Sequence, residues 1–554
     1  MGNLLRLRVI VAFSLLALLC APIWYFTTRV ERAALPHRAI NLLTREHEPQ
    51  QRAQAHVRVV LPRTRCTTTS FASLASRFHI AVVKFDVVLV DEHALPTLLA
   101  SDADVLRFLA ATPKLPLARA GQFDVVAVAD ATVPPTWGVG RAAWFGLSER
   151  CDNVADAVAS LLQMYVVDTA HASAASRSTH AASRRIAVKS APVYHATFTL
   201  LSSDPQSARV QWDFARHERR FLAPLLGKLE RVARVVVTSQ VLHHAPLSRQ
   251  PDADARTEQG EHIVDTADVQ RLVDPHTWRL NSIETNSTTL HFVVFVPPAN
   301  APLRLRNADG SLSRSNAFLL PQWGGVAIRN LPRDVAARVA DANEPAQLQL
   351  SGDDDLAAEM SVFVGQLKRL LGLPSEDERR AGRTPGLPAP TIAVPAEGIT
   401  EYEIDYIMFE RIYENLVSAK AAMHSQSRLV ASLTTMKVLD HIRVLLERAI
   451  AAVTRSEMAI MANDVEKAYE LSVVALADAE TAFFDRDMIA MLYYPAEHNL
   501  AIYLSFFLPM SLPFLSAAWT EFGRWREKRR KAADAAKAAK VKGVPSQAKG
   551  NNDE

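Results

Sequence analysis

Ready-made chemistry is largely missing from this 554-residue chain. Glycine is scarce, at 19 residues, and none falls in a G-x-x-x-x-G-K phosphate loop or a G-x-S-x-G nucleophile elbow. Phosphate-loop nucleotide chemistry and α/β-hydrolase chemistry therefore have no motif to rest on. There is no H-E-x-x-H zinc helix, and no metal or cofactor is expected. Three cysteines are too few for a disulfide framework. Cys20 lies inside an apolar run, while Cys66 and Cys151 leave two readings open, a single bridge or two buried thiols. Neither sits in a catalytic cysteine signature. A net charge of only +3, with no basic stripe in the middle, argues against a nucleic-acid partner.

Two apolar runs mark the ends. VIVAFSLLALLCAPIWYF (9–26) follows Arg6 and Arg8, and it ends in bulky residues rather than small-x-small. It reads as an uncleaved signal anchor rather than a cleaved leader. The second run, over 499–520, is followed at once by GRWREKRRK (523–531). Charge at both outer flanks predicts two membrane helices, both termini cytoplasmic and the middle exoplasmic. Tyr493, Tyr494, Trp519 and Trp525 are placed as interfacial aromatics. Pro509 and Pro513, one turn apart, each remove a helix donor and predict a kink in the second span. Asn286-Ser287-Thr288 is a glycosylation sequon, making Asn286 a candidate acceptor.

Between the runs, β-type segments rich in Val, Ile, Phe and Thr recur at 81–90, 123–129, 141–147, 185–190, 196–201, 233–242 and 289–297. Helix candidates intervene at 102–111, 153–166 and 204–230, although Val210-Gln211-Trp212-Asp213 could form a short strand. The alternation implies a layered α/β domain, without the regularity of a doubly wound sheet. Polar inserts cover 169–183 and 243–262. Beyond a Pro-rich, charged stretch the period turns helical. One stripe runs Ile404, Ile407, Met408, Ile412, Leu416. A second runs Leu429, Leu433, Met436, Leu439, Ile442, Leu446, Ile450. A third runs Met458, Met461, Val465, Ala468, Leu471, Ala475, Ala479. All three are read as core faces of a helical bundle.

The expected architecture is thus an α/β luminal domain with a C-terminal helical bundle or stalk, flanked by one transmembrane helix at each end. In residues, this is a cytoplasmic N-terminus (1–8), a first span (9–26), the α/β domain (27–372), a linker (373–400), the helical stalk (401–498), a second span (499–520) and a basic cytoplasmic tail (521–554). His243-His244 reads as a loop pair without metal partners. Asp353-Asp354-Asp355 reads as an acidic helix entry rather than a cation site. No residue is singled out as catalytic, cofactor-binding or metal-binding.

Four blocks carry a resemblance: APIWYFTTRVERAALP (21–36), ATFTLLSSDPQSARVQWDF (196–214), SNAFLLPQWGGVAIRN (315–330) and AFFDRDMIAMLYYPAEHNLAIYLSFFLPMSLPFL (482–515). In this order and spacing they resemble the PIG-S family, a subunit of the glycosylphosphatidylinositol (GPI) transamidase. The Ala-rich inserts and the Lys/Ala-rich tail depart from that pattern. The resemblance implies a non-catalytic subunit at the endoplasmic reticulum membrane, supporting transfer of a preassembled GPI anchor to the C-terminus of proproteins. Its implied partners are the other transamidase subunits, including a caspase-like cysteine protease that carries the catalysis, and membrane lipid. The proprotein and the GPI lipid are further candidate contacts. The competing expectation is a membrane-tethered luminal enzyme with an unrecognised active site. Trp323-Gly324-Gly325 is expected to form a tight turn.

Overall fold

The computed structural model describes residues 11, 15, 22, 32–45, 55–63, 66, 83–91, 96, 102–111, 118–162, 186–206, 208–245, 256–258, 260–266, 278, 280, 287–336, 346–375, 378, 386–433, 438–486 and 496–542. The elements follow as α1 (His37–Arg45), β1 (Ala55–Pro62), β2 (Val83–Val90), α2 (Asp102–Ala111), β3 (Gln122–Val128), β4 (Thr136–Trp137), β5 (Ala142–Gly146), α3 (Val154–Leu162), β6 (Val193–Ser202) and β7 (Ala208–Trp212). A helix then runs as α4 (Phe214–His217), a π turn (Glu218–Leu222) and α5 (Ala223–Leu229). After it come β8 (Arg234–His243), β9 (His262–Asp265), β10 (Thr288–Val296), β11 (Leu303–Arg306), β12 (Ala317–Leu320), β13 (Gly324–Ile328), β14 (Ala346–Leu350), α6 (Ala357–Leu370) and β15 (Thr391–Ile392). Four helices close the chain: α7 (Glu401–Ser432), α8 (Asp440–Met461), α9 (Val465–Phe483) and α10 (Ala496–Lys542). The chain packs as two compact units, one of residues 42–421 and 448–477, the other of 1–41, 422–447 and 478–554.

The larger unit holds two main sheets. The first has strand order β15-β4-β5-β3-β1-β2, parallel except where β4 runs antiparallel to β5. Its inner strands are continuous apolar runs because both faces are covered. Val57, Val59, Phe123, Val125, Ala143 and Phe145 face α3. Val60, Val126, Val128, Ala142 and Trp144 face Val105 and Leu109 of α2. Helices on both faces of parallel strands make this half doubly wound, against the expectation of a less regular layered sheet. Arg58 and Asp124 are direct cross-strand partners in a buried bidentate pair, with Nε–Oδ1 at 2.6 Å and Nη2–Oδ2 at 2.8 Å. Burial pushes the Asp124 carboxyl up, and Arg58 opposes that push. Cys66 and Cys151 are bonded across this same core, Cα to Cα 5.7 Å, which settles the choice left open above.

The second sheet has order β12-β13-β10-β6-β8, with β12 alone antiparallel. One face packs under the helix 214–229 and α6, through Phe198 stacked on Phe292 at 4.9 Å and edge-on to Phe363 at 5.9 Å. Full burial of each ring contributes about 2–3 kcal/mol. The other face packs on the β9–β11 ribbon and on Trp278, stacked on Phe295 at 5.4 Å. The stretch 204–230 is not one helix. Val210 and Trp212 belong to β7, paired with β14, and the Asp213 side chain then accepts from the Arg216 N–H to start α4.

The three stripes beyond residue 400 fall mainly on α7, α8 and α9. Thr400 and Glu403 form a reciprocal capping box: Thr400 N–H to Glu403 Oε2 at 3.0 Å and Glu403 N–H to Thr400 Oγ1 at 3.3 Å. Ile404, Ile407, Met408, Ile412 and Leu416 are all buried. The second stripe spans a helix break, because α7 ends at Ser432, and Met436 lies outside the described residues. In the third, Val465, Ala468, Ala475 and Ala479 are buried, but Met458 and Met461 are 54% and 71% exposed. Helical period alone cannot tell a core methionine from a surface one at the end of a helix.

Within the smaller unit, Ala33 N–H donates to Val438 O at 2.8 Å, Arg32 bonds Val430 O, and His37 Nδ1 lies 2.7 Å from Ser427 Oγ. Gln426 Nε2 donates to Ala482 O at 2.8 Å.

The two flanking membrane helices are corrected. No helix among the described residues is long and apolar enough to cross a membrane. The first run, 9–26, lies outside the described residues apart from Val11, Leu15 and Pro22. The second run is part of α10, a 47-residue helix continuous through Pro509 and Pro513 into the basic tail. Its apolar content is diluted by Asn499, Ser505, Ser511 and Ser516 and by those prolines. The two-pass endoplasmic reticulum placement, with cytoplasmic termini and a luminal domain, falls with the spans on which it rested. What stands is a mixed α/β body with a helical C-terminal region.

Candidate functional site

An open groove of about 1180 Å³ lies in the larger unit. Its walls are the edge strand β12, the turn region 307–315, Arg220 and Phe221, α6, and residues 373–375 and 392–403. Each wall is fixed by a specific contact. Asn316, at φ 48°, clamps three backbone groups on two strands, β11 and β13. Its Oδ1 accepts from Leu305 N–H at 3.0 Å, and its Nδ2 donates to Leu303 O at 3.0 Å and Ile328 O at 3.1 Å. Such αL geometry favours a short Asx side chain.

The expected W-G-G turn is also corrected. The turn is formed by residues 321–323, with Gln322 at φ 60°, while both glycines sit in β13. Gly324, at φ 148°, brings its Cα against the β10 backbone, where an added Cβ would meet His291 O at 1.9 Å. Gly325 leaves the notch that Gln366 of α6 fills; a Cβ there would lie 1.8 Å from Gln366 Oε1. Gln366 Nε2 in turn donates to Phe318 O at 2.9 Å, tying the helix to the edge strand. His291 stacks on Trp323 at 5.0 Å, and burial holds its imidazole below the ordinary value.

The far wall is held by ion pairs. Lys368 Nζ lies 2.8 Å from Glu403 Oε1 and 3.2 Å from Gly398 O. Arg369 Nη2 donates to Glu378 Oε1 at 2.7 Å. Arg141 makes a bidentate pair with Asp405, at 2.7 and 2.9 Å, and Asp405 also accepts from Gly121 N–H at 3.1 Å. Burial pushes the Asp405 carboxyl up against the pull of Arg141. These contacts, with Tyr402 packed on Trp137 at 5.0 Å, seat the start of α7 against the first sheet. Apolar residues line the rest: Phe221, Phe318, Leu319, Leu373 and Val394, the last 91% exposed.

The sequence-singled residues fall as follows. Asp353 pairs with Arg216 and Arg220, Asp354 with Arg220 at 2.8 Å, and Asp355 accepts from Gly352 N–H at 2.6 Å. The acidic entry is thus engaged by arginines and backbone ahead of α6. His243 ends β8 and His244 turns away at φ 58°, both exposed. Among the described residues no three His, Cys, Asp or Glu side chains are grouped to hold a metal. Asn286 lies outside the described residues, and Pro509 and Pro513 lie in α10 and do not line the groove. Asn316, Gln366 and Glu403 were not singled out from sequence. Only Glu403 carried a local signal, the T-x-x-E capping spacing.

The arrangement is a two-sheet α/β body with appended helices, whose groove offers main chain, apolar surface and paired charges. The chain belongs to the PIG-S family: the profile described as phosphatidylinositol-glycan biosynthesis class S protein matches residues 11–528. It is 30% identical over 337 residues to the Mus musculus protein named GPI-anchor transamidase component PIGS, covering 60% of this chain and 57% of that one. It is 30% identical over 339 residues to the Homo sapiens protein of that name, covering 60% and 58%. It is 24% identical over 322 residues to the Schizosaccharomyces pombe GPI transamidase component PIG-S homolog, covering 58% and 52%. The chain therefore spans less than two thirds of the length of the curated relatives it matches.

Proposed function

We propose that this chain is a non-catalytic subunit of a GPI transamidase, supporting transfer of a preassembled GPI anchor to the C-terminus of proproteins. The observation that carries this is the family match across residues 11–528, shared with relatives named as transamidase components. The bonded Cys66 and Cys151 support it: neither has a thiolate to serve as nucleophile. Catalysis then belongs to another subunit, a caspase-like cysteine protease, and this chain contributes binding surface. The groove is suited to that role, since its walls are locked in ion pairs and backbone bonds rather than poised as a nucleophile and base.

The test is complementation. Cells lacking this chain are expected to lose surface display of a GPI-anchored reporter, and the full chain restores it. A Cys66→Ser/Cys151→Ser variant that still folds and assembles is expected to restore display too. Failure of that folded, assembled variant would overturn the non-catalytic reading.

A further inference from the structure

The two main sheets have four edge strands among the described residues, and three are guarded. β15 has two residues and β12 has four, too short to template a partner. β2 is longer but carries Lys84 and Asp86, with Asp86 bonded to His56 at 2.7 Å. β8 is different. It has ten residues, RVVVTSQVLH, paired over its full length with β6 and with no other strand among the described residues. Between Arg234 and His243 it has no charge and no proline.

The ladder fixes which groups face outward. Arg234 N–H donates to Pro192 O at 2.9 Å, so the even-numbered residues of β8 bond to β6. The main-chain N–H and C=O of Val235, Val237, Ser239, Val241 and His243 therefore point to the open edge. Side chains tie the strand to β6 as well. Thr238 Oγ1 lies 3.1 Å from Thr197 Oγ1, and Gln240 Nε2 donates to Thr199 Oγ1 at 3.0 Å. Ser239, Val241 and His243 are exposed.

We infer that the β8 edge is an interaction surface that takes an extended, uncharged strand of a partner subunit, adding it to the five-stranded sheet. Only an extended polypeptide offers N–H and C=O groups at the repeat this edge presents. A long, straight, uncharged, β-branched edge is an aggregation template unless an assembly covers it. The absence of guarding charge on β8, beside its presence on β2, is what assigns this edge to a partner. The inference rests on the reading of the chain as an assembly subunit.

The experiment is peptide-resolved hydrogen exchange on the full chain, purified alone and within its native assembly. Within the assembly, amides across 235–243 are expected to slow at least about tenfold, while those of β2 stay unchanged. Ser239→Pro removes an outward donor without touching the β6 ladder, and Ser239→Lys adds a guarding charge. Both are expected to keep the thermal transition of the isolated chain and to lower its recovery with partner subunits by about tenfold. Val87→Lys on β2 is expected to change neither the thermal transition nor the recovery. Transamidase subunits that co-purify while 235–243 exchanges as in the isolated chain would overturn the edge pairing and leave the proposed function standing. A chain that remains alone, with the edge exchanging freely, would overturn both. Protection that grows with concentration of the isolated chain would assign the edge to a second copy and overturn a partner subunit. Normal assembly of Ser239→Pro and Ser239→Lys would overturn the pairing whatever the exchange result.

Discussion

The two sheets of the larger unit are built from similar strands but secured differently. The first is stapled: Cys66–Cys151 closes it, Arg58–Asp124 crosses its centre, and the capped start of α7 is pinned to it through Asp405. The second has, among the described residues, no disulfide and no ion pair between its own strands; its ion pairs lie at its margins, as where Arg329 donates to Glu359 Oε1 of α6 at 2.8 Å. It depends on aromatic packing and on tight backbone approaches at Gly324 and Gly325, and it carries the groove and the bare edge. The difference teaches a division of labour. Covalent and ionic cross-links run through the layer of the platform sheet, while the strands of the sheet that presents surface are joined by backbone bonds and packing, with ion pairs only at the groove walls and margins.

The largest effect is expected from the disulfide. Its cysteines are 85 residues apart, and a loop of that length stabilises by about 4–5 kcal/mol in the chain-entropy view. Cys66→Ser/Cys151→Ser is expected to lower the thermal transition and to speed exchange in β1, β3 and β5 before β6 and β10. Exchange that quickens equally in both sheets would mean that they unfold as one body. Next is the buried pair. Asp124→Asn leaves Arg58 without its carboxylate and is expected to cost about 3–5 kcal/mol, whereas Arg58→Met with Asp124→Leu is expected to recover most of it. Denaturant unfolding of the two variants measures both. In the second sheet, Gly325→Ala drives a Cβ into Gln366 and is expected to cost about 1–3 kcal/mol. Gln366→Ala in the same chain makes room and should relieve part of that cost, read from the same curves.

How much of this was legible beforehand follows the range of the interactions. The strands at 123–129, 196–201 and 289–297 were visible because parallel strands covered on both faces are nearly continuous apolar runs, and the edge strand at 233–242 because it is rich in β-branched residues. The first stripe of α7 was visible because helical burial is periodic. The groove was not. Asn316, Gly325 and Gln366 matter through contacts with strands far away in sequence, and no local pattern encodes which glycine faces a glutamine forty residues on. The S-N-A-F and W-G-G blocks were noticed for their resemblance, but their physical role, clamp and notch, needed the fold. The membrane spans were read from length, apolarity and flanking charge; the described part of α10 does not sustain that apolarity along its length.

A smaller effect is expected where the two sheets meet the helical region. Thr400 caps α7 and, with Glu403, fixes the segment that walls the groove. Thr400→Ala is expected to cost about 1 kcal/mol, and Thr400→Asp or Thr400→Ser much less. The cost should appear as faster exchange at the first turn of α7, with the first sheet unaffected. A global loss of stability would mean that the cap also supports the platform.

The last prediction separates the sheets by a slope rather than a step. His291 sits in the second sheet, stacked on Trp323, and burial lowers its folded pKa below the ordinary 6.5. Below pH 6.5 the unfolded chain takes up a proton at this site that the folded chain refuses. Unfolded chains therefore bind more protons, and stability falls as pH drops from 6.5 toward the folded pKa, below which no further loss accrues. Above 6.5 both states hold the ring neutral and the contribution is flat. His291→Phe keeps the stack and removes the titration, so its stability curve should be flatter than that of the wild-type chain across this window. An unchanged slope in that variant would show that the acid sensitivity of the second sheet arises at another group.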